Sequence, residues 1–174
     1  MKLVTRCVLA ILAALIVTIM SQQPVIELRI KTHLEYYVDH KHAYRGDSGI
    51  DLFIPYNVTI PAHAKSHTVP LLIACEMVEH TLTHTTPVSY YIYPRSSLAK
   101  TPIRFSPGVG VIDAGYRGIL TILVDNHSDK EYVIQKGSRL VQICHQSLRP
   151  ITVRMVKRLS HSERGEAGMG SSGM

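Results

Sequence analysis

The chain has 174 residues, 45% of them hydrophobic, and a formal net charge of +6. That length argues for one domain, long enough to bury its own core. The Lys and Arg residues are scattered, with no run of five like charges. The clustered footprint of a nucleic-acid binder is therefore missing, and stable nucleic-acid binding is not expected; a small polyanion needs only a few well-placed cations.

Residues 1–22 stand apart from the rest of the chain. Lys2 and Arg6 precede an uncharged apolar run from Cys7 to Met20. The run is short for a membrane span and fits the hydrophobic region of a signal peptide. Bulky Ile19 and Met20 ahead of Ser21 make a poor cleavage site. A secretion signal, a membrane anchor and an extension buried against a partner all stay open. The three cysteines, Cys7, Cys75 and Cys144, form no C-x-x-C pair. Their odd, sparse count suits a reducing compartment.

From residue 23 to 159 the chain reads as strands and turns. Val25–Lys31 alternates, 50–54 and 88–93 are rich in β-formers, 119–124 is nearly continuous apolar, and 139–144 and 151–156 alternate again. Nine prolines and seven glycines punctuate these runs, and no clean helical period appears. Short, closely spaced strands argue for an all-β sandwich or barrel. His40 with His42, and His80 with His84, lack acidic or cysteine partners at ligand spacing and read as surface histidines. Asn57 and Asn126 open glycosylation-type triplets, a match that arises readily by chance. Residues 160–174 are rich in Gly and Ser. They read either as a frayed end or as an arm that orders over a bound ligand.

Two segments carry chemistry. Tyr93-Pro-Arg-Ser-Ser-Leu-Ala99 joins Arg95 to the hydroxyls of Ser96 and Ser97. Arginine's planar fork matches phosphate oxygens, and hydroxyls add neutral donors. Gly110-Val-Ile-Asp-Ala-Gly-Tyr-Arg-Gly118 places Asp113 among glycines. A carboxylate with no histidine partner suits a general base acting on water; it also suits a plain turn.

With Gly49-Ile-Asp-Leu52, Lys136-Gly-Ser-Arg-Leu-Val-Gln-Ile143 and the tail from Glu163 to Gly173, these make five motifs in one order. Over roughly residues 24–173 the chain resembles the trimeric all-β dUTPase family. The resemblance implies a jelly-roll-like distorted barrel forming a homotrimer, with each site built from several subunits and the tail of one closing the site of another. It implies hydrolysis of dUTP to dUMP and pyrophosphate, with Asp113 aiming water at the α-phosphorus. Arg95, Ser96, Ser97 and Gln142 would face phosphates. Gly110, Val111 and Ile112 would read uracil through their backbone, and Tyr116 would lie under the deoxyribose. Arg164, Met169, Gly170 and Ser171 would close over the ligand. Asp51 would reach Mg²⁺ through water, as suits an ion that keeps its waters and leans on substrate phosphates.

Three positions depart from the family pattern. Met169 stands for an aromatic, Ala167 for a glycine and Ile119 for a polar residue. Two other functions compete with the first. The related dCTP deaminases carry a glutamate where Leu123 stands here. A non-catalytic, regulatory nucleotide-binding protein on the same scaffold is the second. A nucleotide-pool enzyme belongs inside the cell, which favours an intracellular protein; residues 7–20 keep membrane association and the secretory route as alternatives.

Overall fold

The computed structural model describes residues 23–38, 44 and 46–168. The apolar segment 1–22, His40, His42, Met169, Gly170 and Ser171 lie outside the described residues. Twelve strands and two short 3-10 turns make up the described chain, so the all-β expectation holds. Among the described residues no helix is long and apolar enough to cross a membrane.

The strands are β1 (Val25–Lys31), β2 (Gly49–Phe53), β3 (Val58–Ile60), β4 (His67–His80), β5 (Thr85–Val88), β6 (Tyr90–Pro94), β7 (Ile103–Phe105), β8 (Gly110–Ile112), β9 (Ile119–Asn126), β10 (Tyr132–Ile134), β11 (Arg139–His145) and β12 (Thr152–Met155). One sheet runs β12-β1-β4-β9-β7, with β5 also on β4; a second runs β2-β11-β6-β8; β10 and β3 form a small third. Leu28, Ile30, Ile73, Met77 and Ile122 from the first sheet share one buried cluster with Ile50, Leu52, Ile92 and Ile143 from the second. The chain is thus a sandwich whose inner faces interdigitate. Each such side chain contributes about 1.5–3 kcal/mol by leaving water.

The alternating strands fall where alternation places them, because one face of each is buried. β1 alternates buried and partly exposed residues from Ile26 to Ile30, and β9 does so from Ile119 to Asn126. β4 departs from that pattern and is absent from the sequence reading. Its fourteen residues are buried continuously from Ile73 to Val78. Its register against β9 shifts between Pro70 and Ala74, and Leu72 there adopts φ 56°. Proline cannot donate to a ladder, so a bulge at this point removes the period-two signal.

Cys75 and Cys144 are buried free thiols. Asn126 is buried, and its amide donates to the carbonyls of Ile60, Pro61 and Lys130 at 2.8–3.3 Å, which makes it a core residue rather than a glycan acceptor. His145 is also buried. Its Nδ1 accepts the Ser147 amide at 3.1 Å, which puts the proton on Nε2, 3.2 Å from a Glu79 carboxylate oxygen but off hydrogen-bond geometry.

Replacing Leu28, fully buried in β1, with alanine is expected to cost about 2–5 kcal/mol, read as a lower urea midpoint. Burial, with the charge of Arg149, holds the His145 pKa below its ordinary 6.5 despite Glu79. A depressed histidine favours the folded state only while the ring is neutral. That stability is complete above pH 6.5 and is lost as pH falls below it, because the unfolded chain takes up the proton first. Urea midpoints measured from pH 7.5 down to about 5 should therefore fall more steeply for the native chain than for His145→Gln.

Candidate functional site

The second sheet sets both halves of the site. β6 pairs with β8 through Tyr90–Ile112, Tyr91–Val111 and Ile92–Gly110. This register puts Asp113, just past β8, beside the start of β6, where the Ala114 amide donates to Ser89 Oγ at 3.1 Å. Arg95 follows the opposite end of β6. Six residues of extended chain separate Ser89 from Arg95, ~20 Å at about 3.3 Å per residue.

At the Arg95 end, Asp51 of β2 faces Gln142 of β11, and Gln142 faces Tyr93 of β6. Residues opposite one another share a face, so Asp51 and Gln142 belong to one cluster. A Cβ on Gly49 would overlap Gln142 Oε1 and push the Gln142 amide aside. The Asp51 carboxylate forms an ion pair with Arg95 at 2.7 Å on one oxygen and accepts a hydrogen bond from Arg139 at 3.0 Å on the other. Arg95 and Ser97 also donate to the Arg139 carbonyl, at 3.1 and 3.0 Å. Ser96 is exposed and opens the 3-10 turn Ser96–Lys100. The sequence reading left Arg139 without a role. Period-two reading would put it on the opposite face from Gln142; the bulge between Arg139 and Val141 sets it opposite Phe53, on the Asp51 face.

At the other end a cavity of about 150 Å³ is lined by Val111, Ile112, Asp113, Tyr116, Leu120, Thr121, Arg164 and Gly168. Asp51, Arg95, Ser96 and Gln142 are not among these. The chain turns sharply after Asp113, where the Tyr116 amide donates to the Asp113 carbonyl at 3.0 Å. Tyr116 Oη donates to the Ile119 carbonyl at 3.1 Å. A Cβ on Gly118 would lie 2.7 Å from Tyr116 Cζ, so glycine is what lets the ring lie back against the turn. Arg164 forms an ion pair with Asp113, and both side chains are substantially exposed.

The arm is bonded from its root to the limit of the described residues. The Ser160 amide and hydroxyl donate to the Glu76 carboxylate, the amide at 3.2 Å. Ser162 Oγ donates to the Gly115 carbonyl and accepts the Gly165 amide. Gly165 bridges Tyr116 in parallel fashion, and its carbonyl accepts the Arg117 amide at 2.7 Å. Residues 160–168 thus lie against Glu76 and the hairpin. Their partners lie far off in sequence, Glu76 being 84 residues from Ser160, so local composition cannot reveal them.

Arg117 ties these parts together. Its guanidinium donates to the Ala114 and Tyr116 carbonyls at 2.7 and 2.9 Å, to the Ser160 carbonyl at 3.1 Å, and pairs with Glu76 at 3.1 Å. Glu76 is 1% exposed. Burial pulls its pKa upward, but hydrogen bonds from Ser160 and Arg29 and the charge of Arg117 outweigh that and hold it below the ordinary value. Neither residue was singled out from the sequence. A glutamate inside the apolar stretch of β4 is the signal that could have found it, since a buried carboxylate requires a partner.

No group of three His, Cys, Asp or Glu side chains among the described residues could hold a metal ion by itself. Each Asp51 oxygen faces a single guanidinium, which leaves each a lone pair for a metal-bound water.

The dUTPase family model matches residues 35–173. The deoxyuridine 5'-triphosphate nucleotidohydrolase of Clostridium tetani is 34% identical over 148 residues, which is 84% of this chain and 96% of the relative. That of Candida albicans is 33% identical over 130 residues, 72% and 75% of the two chains. Among solved structures, the Staphylococcus bacteriophage 80alpha dUTPase with dUPNHPP matches the fold with a TM-score of 0.55 at 24% identity, covering 84% of this chain and 98% of that one. With the family model over most of its length and relatives above 30% identical across most of both chains, the chain belongs to the dUTPase family.

Proposed function

We propose that this chain is a dUTP diphosphatase that hydrolyses dUTP to dUMP and pyrophosphate, with Asp113 as general base. The observation that carries the reading is the exposed Asp113–Arg164 pair at the mouth of the Tyr116 cavity. A carboxylate there can accept a proton from water while the oxygen bonds to the α-phosphorus and pyrophosphate departs. An exposed ion pair is worth ~1 kcal/mol or less, so an entering triphosphate can draw Arg164 away and free the carboxylate. Arg164 then neutralises charge on the phosphates as they separate.

Tyr116 and the backbone of Gly110, Val111 and Ile112 bound the nucleoside side of the cavity. Tyr116 packs under the deoxyribose and leaves no room for a 2′-hydroxyl. Met169, Gly170 and Ser171, next along the arm after Gly168, cover the base and phosphates. Arg95, Ser96, Ser97 and Gln142 hold the phosphate chain.

One strand length separates this phosphate cluster from Asp113 of the same chain, too far for both to serve one α-phosphate. The halves meet when the phosphate cluster of one chain faces the hairpin of another, as a homotrimer allows. Mg²⁺ fits the open lone pairs of Asp51 through water, with the remaining ligands supplied by water and substrate phosphates. Bound there, it would neutralise phosphate charge. An intracellular location suits this substrate.

The test is release of pyrophosphate from dUTP in the presence of Mg²⁺, followed by single-turnover rates for Asp113→Asn. Loss of a general base is expected to lower the rate by about 10²–10⁴-fold while nucleotide binding persists. An undiminished rate would remove Asp113 from this role.

A further inference from the structure

We propose that the cavity at the far end of β9 is a second binding site, which takes orthophosphate and rejects sulfate. It shares no residue with the Tyr116 cavity or the Asp51 cluster, so it stands independently of the dUTP hydrolase reading above.

The cavity measures about 360 Å³, and its polar lining includes His63, Lys65, Ser66, Ser106, Asp125 and His127. Thr121 of β9 lines the first cavity, and Asp125 lies ~13 Å further along the same strand.

The walls are set by the fold. The loop between β3 and β4 is stapled to the end of β9: the His63 amide donates to the Ser128 carbonyl at 3.1 Å, and the Asn126 amide to the Ala64 carbonyl at 2.9 Å. Asp125 Oδ1 accepts the Ser66 amide and the Ser106 hydroxyl, each at 2.7 Å. Within this frame His63 and Ser66 hold φ at 55° and 50°. They are two of the four non-glycine residues with left-handed backbone among those described. Such backbone costs energy, and it gathers where a loop is shaped to grip a ligand.

The lining selects the ligand. Lys65 Nζ, the His63 and His127 rings and the Ser66 hydroxyl have no hydrogen-bond or ion-pair partner among the described residues. Unpaired donors around one cavity suit an oxyanion. The single carboxylate then decides which oxyanion. The Ser66 amide and the Ser106 hydroxyl, with His127 and Lys65 nearby, hold the Asp125 carboxyl below its ordinary pKa. It is therefore ionised at neutral pH and can only accept. Oδ1 is occupied, while Oδ2 takes no hydrogen bond from the described residues. Orthophosphate at neutral pH still carries an O–H. It can donate that proton to Asp125 Oδ2 while its other oxygens accept from Lys65 and the imidazoles. Sulfate has no proton to give, so it would set two anions face to face. A phosphate monoester loses its last proton near about pH 6, so above that it resembles sulfate.

Calorimetric titration of the full-length chain in phosphate-free buffer at about pH 8 tests this, with orthophosphate, sulfate and methyl phosphate as probes. Orthophosphate should bind about tenfold or more tightly than either of the others, the effect of one charged hydrogen bond. Lys65→Gln should weaken orthophosphate binding by about tenfold or more and leave dUTP hydrolysis unchanged. Asp125→Asn keeps an oxygen for Ser66 and Ser106 but can turn an N–H toward the ligand, so it should admit sulfate and erase most of the preference. No orthophosphate binding, equal affinity for the three probes in the native chain, or unaltered binding in Lys65→Gln would overturn the proposal. So would an unaltered preference in folded Asp125→Asn. Loss of orthophosphate binding in Arg95→Ala would place the ion at the Asp51 cluster and overturn it as well. If Asp125→Asn fails to fold, the comparison of the three probes on the native chain, together with Lys65→Gln, decides the matter.

Discussion

The antiparallel pairing of β6 with β8 is the constraint on which the site depends. Tyr90 and Ile92 are buried in the core, and a slip of one residue would turn both outward. With the register so held, Asp113 emerges at one end of β6 and Arg95 at the other. The distance between the Asp113 turn and the Arg95 cluster is therefore set by strand length. Loop flexibility cannot close it, which is why the proposed site draws on a second copy of the chain.

Two ion pairs with opposite settings divide the labour of holding and moving. Glu76 and Arg117 are both nearly buried, and each has further hydrogen bonds. Breaking such a pair from one side leaves an uncompensated charge in a poorly solvated place, so it behaves as a fixed joint. Asp113 and Arg164 are joined at the surface, where water and salt weaken the attraction. That pair can exchange partners when a polyanion arrives. The same arm is thus rigid at its root and exchangeable a few residues later.

Much of this was legible in the amino-acid order. β1 and β9 carry alternation that one buried face imposes, and Asp113 and Arg95 emerge just beyond the ends of β8 and β6. Asp51 shows where reading stops: the motif gave it a metal contact through water, and the structure adds two arginines. β4 escaped because its continuous burial and its bulge near Pro70 erase the period. The roles of Glu76, Arg117 and Ser160 escaped because they exist only as contacts between distant segments. The separation of Asp113 from Arg95 escaped for a different reason. Eighteen positions apart in sequence, they look adjacent until the pairing of β6 with β8 is known.

Complementation between chains tests the divided site most directly. Asp113→Asn chains keep a working phosphate cluster, and Arg95→Ala chains keep a working hairpin. Each variant alone should hydrolyse dUTP poorly. Mixed assemblies, shown by two tags to contain both chains, should recover a substantial fraction of native activity, because some sites then pair an intact Arg95 with an intact Asp113. Mixed assemblies no more active than the separate variants would contradict the account and place both residues of each site on one chain.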